Sequence, residues 1–429
     1  YEGRQVIDAH GLVVAPGFVD AHVHVESSLV SPFEFERLVL PRGTTTAICD
    51  PHEIANVLGL DGIRYMLDAA GELTLSLFVN LSSCVPSSPL ETSGAELAAD
   101  DLARLADAPG VLGLAEVMSF PSVLAEEPGI LAKLEAFQGR QIDGHAPLLA
   151  GRDLAAYAAV GIRTEHEATL LEEAREKLKK GMAILLREGS VAKNVATLAP
   201  LLTDYTAARL AFCTDDRNPA EILAEGHVDH AVRTAIAAGA PHPAAYRAAS
   251  LSAAEIMGLR DRGLVAPGYR ADLLLVEDVA AVTVERVICG GRLFRAGEGR
   301  IETTGTGRGS VRRPAVTPEA LTLAAAGAAP TIGVRPGSLL TDRVERDPAD
   351  ADVLTLAVLE RHGKSGRIGL AHVTGFGPLA GAVGSSVGHD SHNLGVVGRD
   401  PADMAVAANR LIALDGGAVV VRAGEVVAE

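Results

Sequence analysis

From residue 12 to residue 216 the chain alternates short β-type runs with longer stretches in which apolar residues return every three to four positions. Eight runs read as strands: 12–25 (LVVAPGFVDAHVHV), 44–50, 74–82, 111–118, 140–145, 161–166, 182–187 and 209–215. The segments 54–70, 95–107, 128–138, 150–159, 167–180 and 191–201 carry the helical spacing between most of them. Strand and helix in strict alternation is the sequence form of a parallel sheet. Eight such units predict an α/β fold, a (β/α)8 barrel of the TIM type over residues 16–259, with active-site residues at the carboxyl ends of its strands. An open doubly wound sheet is the competing arrangement, but no GxGxxG follows an early strand to support a dinucleotide site.

Beyond the barrel, helical patterns cover 229–239 and 242–257, and then GLVAPGYRAD (263–272) turns into the strand-like LLLVED and VERVICGGRLF. These short strands, with residues 1–15, predict a small β domain made of 1–15 and 260–296. Residues 296–320 are rich in Gly, Thr, Arg and Pro, and 297–329 read as a linker or surface segment. Residues 330–429 hold β-type runs, a helix near 400–413 and a terminal hairpin pattern, and predict a C-terminal α+β domain.

Composition narrows the classes of function. With 429 residues, 48% hydrophobic and 22% charged, the chain has ample material for a core. A formal charge of −17 opposes loose binding to nucleic acid or anionic membranes, and 3% aromatics without any Trp leave little to stack on bases. Neither a nucleic-acid nor a membrane partner is expected. Four scattered cysteines without a CxxC suggest a reducing, cytoplasmic setting. No apolar run approaches the roughly 18 residues of a membrane span. The chain opens without Met, straight into strand-like sequence, so a missing leading segment is expected.

The sharpest local signal is PGFVDAHVH (16–24). Side chains alternate faces along a strand, so His22 and His24 point the same way and can share one cation. Paired histidines are common without metal, and position is what strengthens the reading. The expected ends of strands four, five, six and eight carry Glu116, His145, His166 and Asp215. Six imidazole and carboxylate groups exceed one tetrahedral ion but suit two divalent ions about 3.5–4 Å apart, bridged by a carboxylate and a hydroxide.

PGFVDAHVH resembles the first-strand signature of the amidohydrolase superfamily, and VDAHVHVESSLVSPFEFERLVLPRGTTTAICDPHEIANVLG resembles the adenine deaminases. The likeness continues through GLAEVMSFP, DGHAPLLAG, TEHE, LLREGSVAKN, CTDDRNP and GLVAPGYRADLLLVED, and resumes in LAVLERHGKSGRIGLAHVTGFG and GAVGSSVGHDSHNLGVVG, so it spans nearly the whole chain. It implies that His22, His24, Glu116, His145, His166 and Asp215 hold two divalent metals, Mn or Fe before Zn, with Glu116 bridging and Asp215 also moving protons. It implies hydrolytic deamination of adenine to hypoxanthine and ammonia in purine salvage, by a homo-oligomer, with a dimer favoured. It also implies strands before Tyr1 and further chain after residue 429.

Hydantoinases and dihydroorotases bridge their metals with a carboxylated lysine on the fourth strand. None of the six lysines here falls in that strand, and Glu116 stands there instead. His24-Val25-Glu26 matches half of the zinc nucleobase-deaminase signature, but no PCxxC accompanies it. The competing functions are another amidohydrolase acting on a different purine, pterin or cyclic amide, and a non-catalytic binding protein on the same fold.

Asp50 and His52, at the end of the second strand, are candidates for the acid near the purine ring nitrogen and for orienting the base or hydroxide, since histidine titrates near neutral pH. Asp50 before Pro51 also fits a helix cap. Glu26, Ser27 and Ser28 follow the HxH strand as pocket or turn residues. Asp216 stands as a third carboxylate on the metals or behind them. Arg187 and Arg217 either contact the purine or pair with neighbouring acids. His389 and His392, in the HDSHN cluster, belong to a loop that closes on the pocket, binds a further metal or makes a subunit contact.

Overall fold

The computed structural model describes residues 6–295, 305–324 and 327–429. The chain divides into two compact units, one of residues 1–52, 63–84 and 97–304, the other of 53–62, 85–96 and 305–429.

In the first unit the strands are β1 (Val13–Pro16), β2 (Phe18–Val23), β3 (Thr44–Cys49), β4 (Ser76–Leu81), β5 (Val111–Val117), β6 (Gln141–Gly144), β7 (Thr164–Glu165), β8 (Ala183–Arg187), β9 (Leu210–Cys213), β10 (Leu273–Val276), β11 (Val284–Cys289) and β12 (Arg292–Leu293). Strands β2 to β6 form one parallel sheet and β7 to β9 another. Backbone bonds continue across both junctions. Asp215 N–H donates to His22 O (3.0 Å), His24 N–H to Asp215 O (2.9 Å), and Arg163 N–H to Ile142 O (3.1 Å). These curled parallel sheets, with helices between the strands, are the mixed α/β arrangement that the alternating pattern predicts.

Strands β2, β3, β8 and β9 are buried along their whole length, so both of their faces are covered. Val19, Ile48, Leu185, Ala211 and Met257 share one cluster; Phe18, Ile184, Leu186, Phe212 and Val232 share another. Each large aliphatic side chain so buried contributes about 1.5–3 kcal/mol.

Three sequence expectations change in detail. The single run 12–25 is two strands in two sheets: β1 pairs β10 antiparallel, beside β11 and β12, while β2 enters the parallel sheet. The break falls at Gly17, where a Cβ would lie 2.2 Å from Thr45 Oγ1. The run 54–70 is two helices, His52–Leu58 and Leu60–Ala70, parted by Gly59 at φ 65°, a left-handed conformation suited to glycine. The run 191–201 is helical only from Val195 to Leu198, followed by one 3-10 turn through Pro200, because proline lacks the N–H that would extend it.

The second unit holds an eight-stranded sheet of β13 (Ala329–Val334), β14 (Thr341–Arg346), β15 (Leu354–Leu359), β16 (Ile368–Thr374), β17 (Ala382–Ser385), β18 (Leu394–Gly398), β19 (Ala418–Arg422) and β20 (Glu425–Ala428), in the order β14-β13-β16-β15-β18-β17-β19-β20. All neighbours pair antiparallel except β13 and β16. The helix Pro401–Leu414 starts on Asp400, whose side chain accepts from Ala402 N–H, and lays Met404, Ala408 and Leu411 against Leu394, Val396 and Val419.

His362, buried after β15, has Nε2 without a hydrogen-bond partner. Burial, then the adjacent Arg361 guanidinium, push its pKa down to about 4. Folding therefore opposes its protonation. Stability from this residue is intact above pH 6.5 and is lost as the pH falls through 6.5 towards 4. Between pH 8 and 5 we expect a loss of about 1–2 kcal/mol, after allowance for partial solvent screening. His362→Gln should flatten that slope in urea titrations of the full chain; an unchanged slope would contradict this.

Candidate metal centre and active site

Six side chains from the strand ends meet in the first unit. His22 and His24 leave β2 on the same face, with Nε2 atoms 3.2 Å apart, and each Nε2 is 3.2 Å from Asp215 Oδ1. Glu116, at the end of β5, spans the group. Its Oε1 lies 3.2 Å from His24 Nε2 and 3.7 Å from His22 Nε2, and its Oε2 lies 2.6 Å from His145 Nδ1 and 3.3 Å from His166 Nε2. All six are buried except His145, which is partly so.

Donor atoms of His22, His24 and Asp215 lie within 4.8 Å of one another, and those of Glu116, His145 and His166 do the same. These are two groups of three that could each hold a metal ion. Asp215 stands at φ 57°, a left-handed conformation that aspartate tolerates better than most residues, and backbone bonds to both histidines of the HxH strand clamp it there.

Donors packed this closely set one another's charge. Burial opposes the anionic form of Glu116, but His145, His166 and His24 hold it well below the usual carboxylate range. Burial likewise opposes the charged form of Asp215, yet Arg187, His22 and His24 keep it ionised. Burial lowers His22, but Asp143 and Asp215 overcome it and lift its pKa to about 10.

Asp50 and His52 sit beside this group. Asp50 Oδ2 is 3.0 Å from His52 Nδ1, its Oδ1 accepts from Ser82 Oγ at 2.8 Å, and its main-chain oxygen faces His24 Nδ1 at 2.9 Å. His52 Nδ1 is also 3.4 Å from Glu116 Oε1. The Asp50 carboxylate thus serves His52. Arg187, at the end of β8, reaches Asp215 and Glu167 and lies 3.1 Å from Asp216. Glu26 and Ser27 are half-buried in the 3-10 turn that follows β2, where Ser28 Oγ donates to Val25 O at 2.5 Å.

One other candidate turns elsewhere. Arg217 is buried and spends its guanidinium on Gly226 O (2.9 Å), Glu188 O (3.2 Å) and Glu225 (2.6 Å), pairing with loop groups rather than facing the histidines. His389 and His392 belong to the second unit, where their Nε2 atoms lie 2.9 and 3.6 Å from the carboxylate oxygens of Glu53.

Sequence reasoning missed three residues. Asp143 Oδ2 is 2.9 Å from His22 Nδ1, Asp20 accepts from the N–H and Oγ1 of Thr214, and Glu167 meets Arg187. The two-residue period held the signal for the first two. Asp20 precedes His22, and Asp143 precedes His145, by the step that returns to the same face.

Comparison with known proteins places this geometry. Residues 13–294 match the amidohydrolase family, and residues 338–429 match the adenine deaminase C-terminal domain. An adenine deaminase of Cereibacter sphaeroides is 54% identical over 442 residues, covering 100% of this chain and 78% of its own length. One of Methylobacterium nodulans is 55% identical over 443 residues with the same coverage. A crystal structure of an adenine deaminase shares 16% identity at a TM-score of 0.49, covering 66% of this chain and 87% of that one. With the amidohydrolase match over most of its length and relatives above half identity along all of it, the chain belongs to the adenine deaminases of the amidohydrolase family.

Proposed function

We propose that the chain hydrolyses adenine to hypoxanthine and ammonia at a centre of two divalent metal ions, Mn or Fe before Zn. Glu116 carries this reading, because one carboxylate faces two pairs of histidines through its two oxygens. The donor set fits the ions: His22, His24 and Asp215 would hold one, His145 and His166 the other, and Glu116 both. His166 supports it further, since its buried Nε2 faces the carboxylates of Glu116 at 3.3 Å and Glu167 at 3.7 Å. Mixed imidazole and carboxylate ligation suits Mn, Fe and Zn alike. When bound, such ions supply a water molecule made acidic enough to react near neutral pH.

The residues do the rest. Attack at C6 of adenine needs a proton moved from water to the departing amine, and Asp215 Oδ1 is placed for it, while Arg187 holds Oδ2 and so fixes the carboxylate's aim. Asp50 holds His52 through Nδ1, which sets the tautomer and the aim of the ring, and His52 exchanges the proton that the purine ring nitrogen requires. Burial excludes bulk water and strengthens each of these contacts.

The domain limits are part of the same proposal: one closed (β/α)8 barrel over 16–259, the small β domain of 1–15 and 260–296, and the C-terminal domain 330–429. The backbone bonds that join the two parallel sheets support the closed barrel. Residues 1–5 and 296 of the small β domain, and 297–304 and 325–326 of the segment 297–329, lie outside the described residues. A cytoplasmic dimer belongs to the proposal too; four free cysteines fit a reducing compartment, and no described helix is long and apolar enough to cross a membrane.

The test is an ultraviolet assay, with ammonia measured independently, of the Mn-loaded chain on adenine, guanine, a hydantoin and dihydroorotate. Adenine alone should turn over at an enzymatic rate. A fully metal-loaded chain that leaves adenine intact would overturn the reading.

A further inference from the structure

We infer that Asp143 is a positioning residue for the metal centre, holding the His22 ring so that Nε2 points at the ions. The inference rests on the reading of His22 as a ligand. Asp143 lies in β6, wholly buried. Its Oδ2 lies 2.9 Å from His22 Nδ1, and its Oδ1 accepts from Gly144 N–H at 3.1 Å and from Thr164 Oγ1. Both oxygens are therefore committed, one to the imidazole and the other to the backbone and β7.

The two nitrogens of His22 face opposite ways. Nδ1 meets Asp143, while Nε2 meets His24, Asp215 and Glu116. The imidazole thus stands between Asp143 and the cluster on Nε2, which makes Asp143 an orienter of the ligand. The carboxylate accepts a hydrogen bond from Nδ1–H, so the Nε2 lone pair stays turned to the cation. A ring stacked on His166 (centroids 4.2 Å apart, planes at 17°) is fixed in tilt by that contact but not in rotation about its own axis. Asp143 supplies the missing restraint, and Thr164 keeps Asp143 in place.

The experiment is chelator competition on the 429-residue chain with Mn2+ and Co2+, alongside Asp143→Asn. Removing such an orienting carboxylate should weaken one of the two ions by about 10–100-fold. At saturating metal, Asp143→Asn should still take up both ions, show the wild-type Co2+ absorption bands, and regain kcat. Unchanged affinity would overturn the inference. So would permanent loss of one ion at any metal concentration, which would make Asp143 itself a ligand. If Asp143→Asn does not fold, Thr164→Val decides: a several-fold weaker ion supports the inference and wild-type affinity sinks it. Metal binding is read without adenine, so a chain that binds both ions but spares adenine would defeat the functional reading and leave this one standing.

Discussion

Glu116→Gln should abolish adenine turnover, with kcat/KM lower by roughly 10³-fold or more, about 4 kcal/mol in the barrier. The amide keeps the shape of the side chain but loses its charge. Both groups of histidines then lose their common anion, since Oε1 serves His22 and His24 and Oε2 serves His145 and His166. Metal content should fall with activity, and excess Mn should restore little, because the missing charge faces both ions. The measurement is metal per chain by mass spectrometry beside the adenine assay. Full metal content with near-normal turnover would remove Glu116 from the centre, and with it the reading of two ions sharing one carboxylate.

The second large effect is on stability. Lys177, in the helix Leu171–Lys179, is wholly buried with Nζ 3.1 Å from Glu165 Oε1, 2.7 Å from Glu173 Oε1 and 2.8 Å from Ala146 O. Glu165 in turn accepts from the N–H groups of Glu167 (2.9 Å) and Ala168 (3.1 Å), so this one cation ties the loop after β6 to the loop after β7. Those loops carry His145 and His166. Burial raises the pKa of Glu165, and Lys177 is the first group that counters it.

Lys177→Met should destabilise the chain by about 3–5 kcal/mol, because it strands Glu165 and Glu173 without their counter-ion. Adding Glu165→Gln should recover part of the loss, since no buried charge is then left alone on β7. Urea unfolding followed by far-ultraviolet circular dichroism reads both variants. Equal stability of Lys177→Met and wild type would show that the buried ion pair contributes nothing.

Much of the site is legible in the order of residues along the chain. The HxH pair declares itself by the two-residue period of a strand, and Glu116, His145, His166 and Asp215 declare themselves by falling at strand ends in a repeating βα pattern. Such signals are local, or regular along the chain, and so survive in one dimension. The turn at Gly17, the helix break at Gly59 and the shortness of Val195–Leu198 are less visible, since apolar spacing continues through a residue whose backbone leaves the helix or strand.

By itself, then, the amino-acid sequence determined the alternation of strands and helices, the six candidate ligands and the family. What only tertiary structure decided is which way each side chain faces. Arg187 and Arg217 stand alike in sequence, each beside acids at a strand end. In the fold Arg187 grips Asp215, while Arg217 closes a loop on Gly226 and Glu225. Asp143 and Lys177 read as ordinary polar residues until β6, β7 and the helix after β7 bring them against His22 and Glu165. A charge buried at a junction of distant segments takes its role from partners 12 to 121 residues away. No local pattern encodes a partner at that distance; only packing, which must neutralise every charge it buries, selects it.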